Sequence, residues 1–280
     1  MAESVIDRLA TDRFRVRPGR DAGLAERDPA WAQDLGPGKK QAREELEAAV
    51  ERIAALQERL YAEGKRSVLL VIQAMDTGGK DSTIRAVTRG LNPQGCRVIG
   101  FKAPSKSELA RDFLWRVHAE VPPKGTIGVF NRSHYEDVLI VRVHGWASSE
   151  TLEARYGHIN AFERLLHDSG TRVVKVMLHI SKEYQLEQLK ERVATPEKYW
   201  KFNPDDLKER ALWDDYEAAY ELALARCSTR EAPWYVVPAE TKWFRNLVVA
   251  KLLLETLEDM DPRYPEPAWD PSEITADSLV

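Results

Sequence analysis

The residues best able to do chemistry lie in one stretch, Ala74-Met75-Asp76-Thr77-Gly78-Gly79-Lys80-Asp81-Ser82-Thr83, directly after the apolar run Val68-Leu69-Leu70-Val71-Ile72. Two glycines let backbone N–H groups turn inward around phosphate oxygens. A helix starting behind them adds about half a positive charge, and a lysine neutralises the outer oxygens. Gly78, Gly79, Lys80, Asp81, Ser82 and Thr83 are therefore the expected phosphate-binding positions. Asp76 is the anomaly. A carboxylate about 4 Å from an anion is repelled by roughly 4 kcal/mol at an effective dielectric near 20. A cation between them resolves the conflict, so Asp76 is expected to bind Mg2+, with Asp81 behind it and Mn2+ as the alternative ion. The plainer reading is a strand-to-helix turn in which the glycines serve geometry and Asp81 caps the helix.

Set against a Walker A loop, the stretch departs twice. Ala74 stands at the first glycine position, and Asp81 stands where a metal-ligating hydroxyl usually follows the lysine.

A second group, Asn131-Arg132-Ser133-His134-Tyr135-Glu136-Asp137, follows another apolar run, Ile127-Gly128-Val129-Phe130. If both runs are parallel strands, both groups emerge at the carboxyl edge of one sheet, where α/β proteins bind ligands. Glu136 and Asp137 are the candidates for a second acid beside Asp76. Arg132 is the candidate contact to a transferring phosphoryl group, and Arg142 and His144 lie on the next turns. Lys102 leaves a further run at the same edge and is a candidate phosphate contact, although a lone strand-end lysine is more often merely solvated.

These groups need elements to position them. Apolar, β-branched runs at 67–73, 96–102, 126–131, 172–180 and 234–238 alternate with helical stretches, which predicts an α/β fold with a five-stranded parallel sheet covered by helices. Leu46, Val50, Ile53, Leu56 and Leu60 predict a helix over 39–63 ending near Gly64. Ser105 and Glu108 form a capping-box pattern opening a helix to about 118. A last helix is expected over 243–257. Residues 1–38, broken by Pro18-Gly19, Asp28-Pro29 and Gly36-Pro37-Gly38, read as an irregular arm on the domain. Residues 261–280 read as a loose tail. Between the fourth and fifth runs lie about fifty residues, more than a simple crossover needs. They read as a helix over 182–193, a Pro-broken link over 195–204 and a long helix over 205–228. An insertion beside the strand ends is where a lid would sit, and 182–215 is assigned to it.

The chain has 280 residues, a net charge of −4 and a pI near 6.0, which argues against a general nucleic-acid binder. Residues 181–210 hold seven basic and seven acidic side chains, so composition alone announces no polyanion site there. Cys96 and Cys227 form no metal pattern and read as reduced structural thiols. The first residues carry no apolar signal core, and no apolar run reaches the roughly 20 residues a membrane span needs. A cytoplasmic protein without membrane contact is expected.

The ordered segments MDTGGKDSTIR, FKAPS, RDFLWRVH, FNRSHYEDVLIVRVH, PEKYWKFNPDDLKERALWDDYEAAYELAL, APWYVVPA and KWFRNL together resemble the polyphosphate kinase 2 family, class III branch, from about Phe14 to Leu257. The resemblance implies one P-loop kinase-like domain over 1–280, related to thymidylate kinases, with a helical lid. It implies transfer of phosphoryl groups from inorganic polyphosphate to nucleoside mono- and diphosphates, AMP to ADP and ADP to ATP, and the reverse. GMP and GDP are alternative acceptors, and a homodimer or homotetramer is implied. Asp76 and Lys80 fall on the family's essential loop positions. Asn131, Arg132, Glu136 and Asp137 fall on its second motif, and Glu136 on a position tied to the acceptor range. Arg192 and Lys201 fall in the lid, where basic side chains meet phosphate chains. The metal expectation then becomes Asp76 with Glu136 or Asp137. Arg111 departs from the pattern, standing where relatives often carry histidine. The Trp200 region and Trp213 read as lid packing rather than nucleobase stacking. Two rivals share these residues: an ATP-dependent nucleoside monophosphate kinase, and a phosphate-binding module without chemistry.

Overall fold

The computed structural model describes residues 4, 6–32, 39–270 and 274. Five strands, β1 (Ser67–Ala74), β2 (Cys96–Gly100), β3 (Ile127–Asn131), β4 (Thr171–His179) and β5 (Trp234–Pro238), form one sheet in the order β2-β3-β1-β4-β5, parallel at every pairing. All eight residues of β1 are buried, which explains why its sequence is apolar without alternation: both faces are covered. β2, at the edge, is half exposed and ends at Gly100 rather than at the expected 102.

The helices are α1 (Lys39–Glu63), α2 (Lys80–Thr88), α3 (Lys106–Leu109), α4 (Trp115–His118), α5 (Ile140–Val143), α6 (Ser149–Asp168), α7 (Lys182–Ala194), α8 (Asp205–Ala211), α9 (Trp213–Cys227) and α10 (Lys242–Met260). α1, α2 and α10 pack as one group and α5, α6 and α9 as another. Two helical expectations are corrected. The capping box of Ser105 and Glu108 is present, but α3 ends after four residues. The chain restarts at α4 through a local turn in which Asp112 accepts from the Leu114 N–H. The stretch 205–228 is likewise two helices, broken at Leu212.

The arm is fastened to the sheet. Phe14 is buried against Trp31 and Phe244, and Arg15 bridges antiparallel to Tyr235. The Gly23 and Leu24 N–H groups donate to Glu221 at 2.8 and 2.9 Å. The tail has no regular structure over 261–270, and the expectations for Gly36-Pro37-Gly38 and for 271–273 and 275–280 lie outside the described residues. Among the described residues no helix is long and apolar enough to cross a membrane.

Candidate active site

Because β1 lies between β3 and β4, the loops leaving all three strands meet at one edge. The loop after β1 turns through Thr77, at φ 65°, and Gly79, at φ 90°. At that φ any side chain is strained, and a β-carbon would lie 2.0 Å from an Arg245 guanidinium nitrogen, which would have to move aside. Lys80 Nζ folds back onto the loop, donating to the carbonyls of Ala74 (3.0 Å) and Met75 (3.3 Å). Burial, with Arg132 nearby, holds its pKa below the usual lysine value, while Asp76, Glu136 and Asp81 oppose the shift. Asp81 does not cap α2. It accepts from Asn131 Nδ2 at 2.7 Å, tying the β1 loop to the end of β3.

Arg132 also has positive φ, at 62°. Such conformations in residues other than glycine cost about 1–3 kcal/mol each and persist where surrounding contacts fix them. Its guanidinium donates to Asp76 Oδ1 at 2.7 Å and stands 3.6 Å from Glu136 Oε2. Burial works against its charge, but Glu136 and Asp76 outweigh it and raise the pKa.

Two cavities meet at this pair. The larger, about 690 Å3, runs along Thr77–Ser82 and is lined by Lys80, Lys102, Arg192, Lys198, Lys201, Lys242 and Arg245. Asp206 faces into it, with its pKa raised by burial and then by Asp76, against Arg192 at 3.4 Å. The smaller, about 40 Å3, has Asp76, Arg132 and Glu136 on one wall and Trp213, Tyr216 and Tyr220 on the other. Tyr216 donates to Glu209 at 2.6 Å, and Glu209 also meets His144 Nε2 at 3.0 Å, which ties α8 and α9 to the end of α5.

Of the residues singled out by sequence, Asp76, Gly78, Gly79, Lys80, Asp81, Ser82, Lys102, Asn131, Arg132, Arg192 and Lys201 line the larger cavity, and Glu136 lines the smaller. Three do not join them. Thr83 is wholly buried. Arg142 points to Glu153 at 4.0 Å and over the Tyr156 ring. Asp137 lines neither cavity and sits 3.9 Å from both Arg116 and Arg155. Burial pushes its carboxyl up to about 6 even so. The expected pairing of Asp76 with Asp137 around one metal is corrected accordingly: successive residues of the 3-10 turn His134–Asp137 point about 120° apart, and Glu136 takes the inward position. Trp200 does not pack, being 80% exposed with Lys201 over its ring, whereas Trp213 is buried.

Sequence reasoning missed Arg245, Lys242, Asn246 and Asp206. Arg245 is 2% exposed and donates to Ser82 Oγ at 2.9 Å. Its signal was the spacing Lys242, Arg245, Asn246 on the first turn of a helix that starts at the β5 edge.

A buried charge cluster lies behind the second motif. Lys175 Nζ donates to Glu163 Oε2 (2.5 Å), Tyr135 Oη (2.8 Å) and Cys227 O (2.7 Å), which uses all three of its protons. Tyr135 Oη and His134 Nε2 both meet Glu163 Oε1. The turn that presents Arg132 and Glu136 is anchored there.

The profile described as "Polyphosphate kinase 2 (PPK2)" matches residues 37–265. The AMP/ADP-polyphosphate phosphotransferase of Meiothermus ruber is 51% identical over 255 residues, covering 91% of this chain and 96% of that protein. The ADP-polyphosphate phosphotransferase of Rhodopseudomonas palustris is 44% identical over 274 residues, covering 92% and 93%. The crystal structure of polyphosphate kinase 2 from Arthrobacter aurescens TC1 superposes with a TM-score of 0.90 at 43% identity, over 97% of this chain and 95% of that one. With a glycine-rich loop after β1 at the mouth of a large cavity and matches over nearly the whole length, the chain belongs to the polyphosphate kinase 2 family.

Proposed function

We propose that the protein transfers the terminal phosphoryl group of inorganic polyphosphate to AMP and ADP, and catalyses the reverse. The observation that carries this reading is the meeting of two unlike cavities at Asp76 and Arg132. The larger has basic side chains on both its loop side and its lid side, outnumbering Asp76, Asp81, Glu191 and Asp206, and suits a chain of phosphates. The smaller is walled by Trp213, Tyr216 and Tyr220 and suits a nucleotide. At about 40 Å3 it is too small for a nucleobase as it stands, so α8 and the first residues of α9, within the lid span 182–215, swing outward to admit one. The names of the relatives support both substrates.

In this reading Lys80, Arg245 and the loop N–H groups hold the donor phosphates. Arg132, flanked by Asp76 and Glu136, neutralises the group in flight, and Arg192 and Lys201 grip the chain from the lid side. The transition state is loose, so positioning and charge neutralisation do most of the work. The acceptor is an anionic phosphate and needs no strong base, and no covalent enzyme intermediate is required.

Magnesium fits the donor set. No group of three or more His, Cys, Asp or Glu side chains converges among the described residues. Magnesium keeps its waters and takes one or two carboxylates plus substrate phosphates, which Asp76, with Asp206 across the cavity, can provide. Bound there, the ion would neutralise phosphate oxygens and steady the leaving chain. A cytoplasmic homodimer or homotetramer remains the proposed setting.

The test is direct. Pure protein is incubated with AMP, magnesium and polyphosphate in the absence of ATP. ADP and then ATP should accumulate. No product without added ATP would favour the ATP-dependent kinase.

A further inference from the structure

Thr77 is a β-branched residue held at positive φ in the middle of the phosphate loop. The peptide that must turn to produce this conformation is the one joining Asp76 to Thr77. Its carbonyl oxygen, on Asp76, accepts a hydrogen bond from Gln185 Nε2 at 3.2 Å. Gln185 belongs to α7, is 4% exposed and lines the smaller cavity. Its amide cannot flip without loss, because Oε1 accepts from Arg210 NH1 at 3.0 Å and an arginine offers no acceptor. Arg210 belongs to α8, and the same nitrogen donates to the Lys182 carbonyl at 2.5 Å. A continuous chain of hydrogen bonds thus runs from α8, through α7, to the one peptide whose orientation strains the loop.

We propose that Gln185 and Arg210 are positioning residues: they hold the Asp76–Thr77 peptide in its anion-gripping orientation and make the donor cradle depend on the seating of α8. Neither side chain need touch the donor. With α8 seated, Gln185 Nε2 is aimed at the Asp76 carbonyl and the loop N–H groups face inward. With α8 displaced, Thr77 relaxes toward negative φ and those groups rotate away. The two cavities are thereby coupled, since the helix that covers the acceptor pocket also sets the loop that grips the donor. This inference rests on the reading that the loop grips polyphosphate.

The test is a coupling measurement. Gln185→Leu and Arg210→Met are each made in the native chain and in a Thr77→Gly background, with melting temperature, kcat and both KM values recorded. Loss of one buried hydrogen bond corresponds to about tenfold, so Gln185→Leu and Arg210→Met should each raise the KM for polyphosphate by about tenfold, and Arg210→Met, which lines neither cavity, should change the KM for AMP by less than about threefold. Glycine adopts positive φ freely, so the same substitution should cost at least about threefold less in the Thr77→Gly background. A purely structural role would lower the melting temperature and show no such dependence on residue 77. Equal proportional losses in both backgrounds would overturn the proposal, as would a rise confined to the KM for AMP. If Gln185→Leu does not fold, Arg210→Met, at a half-buried position, carries the same expectation. Lys80→Ala is run in parallel: if it leaves the KM for polyphosphate unchanged, the cradle reading itself fails rather than the coupling.

Discussion

Arg132 carries three constraints at once: a strained backbone, an ion pair to Asp76 and a carboxylate, Glu136, four residues on. A side chain held this way is poised rather than free, and in the proposed function ligand phosphates take it over without a search. Lys80→Ala and Asp76→Asn should each lower turnover at least about 10²-fold with magnesium saturating, the scale of losing one transition-state contact. Near-native turnover in either variant would refute these assignments. Asp137→Asn should cost far less, because its carboxyl meets Arg116 and Arg155 rather than either cavity. A loss equal to that of Asp76→Asn would show that it reaches the reacting groups. Gly79→Ala should destabilise the fold by about 1–3 kcal/mol in urea unfolding, since the new methyl meets the Arg245 guanidinium at positive φ. At this scale the sequence was legible where the chemistry is local. Asp76, Gly79, Lys80 and Arg132 sit at strand ends, so chain direction alone delivers them to the site. Arg245 was not legible. Its neighbours Lys242 and Asn246 mark a polar first turn of α10 but not its target, because its arrival beside Gly79 depends on how α10 packs against α2.

The elements repeat that division. The five strands were readable from β-branched apolar runs, and their ends fell within two residues of expectation. The helices at 105–118 and 205–228 were not. A capping box marks where a helix begins but says nothing of where it stops. α3 ends at Leu109, and beyond it Asp112 offers the Leu114 N–H an acceptor outside any helix ladder. The break at Leu212 separates α8 from α9, and Glu209 at the end of α8 is held by His144 and Tyr216. The break at Leu212 would let α8 move on its own once these contacts of Glu209 are released. Nucleotide binding should therefore slow amide exchange in α8 and the start of α9 more than in β1 or β4, as read by hydrogen–deuterium exchange. Uniform protection, or none in α8, would remove the lid assignment.

At the scale of the molecule, the parallel order β2-β3-β1-β4-β5 puts the glycine-rich loop after β1 between two neighbours that each deliver a further loop. The buried cluster of Glu163, Lys175, His134 and Tyr135 fixes one of those loops to the core. Lys175 was hidden in the sequence because it sits mid-strand among valines, where a charge is least expected. The cluster also sets how acid acts on the protein. Burial holds His134 below its ordinary 6.5, so the unfolded chain binds a proton that the native state excludes as pH falls below that value. Burial works to raise Glu163, but Lys175 and His134 outweigh it and hold the carboxyl below its ordinary 4.5. Its contribution is present above that pH and lost on further acidification. Both groups make acid destabilising, His134 first. The urea midpoint should fall between pH 7 and pH 5, and His134→Gln should flatten that fall. An unchanged slope would assign the acid sensitivity elsewhere.

In the proposed function, donor and acceptor occupy different cavities and react across Asp76 and Arg132 in one complex. The most direct measurement is an initial-rate matrix in AMP and polyphosphate, both varied around their KM values. Two cavities predict intersecting double-reciprocal lines and no competition between a non-transferable phosphate chain and AMP. Parallel lines, or mutual competition between the two, would contradict it.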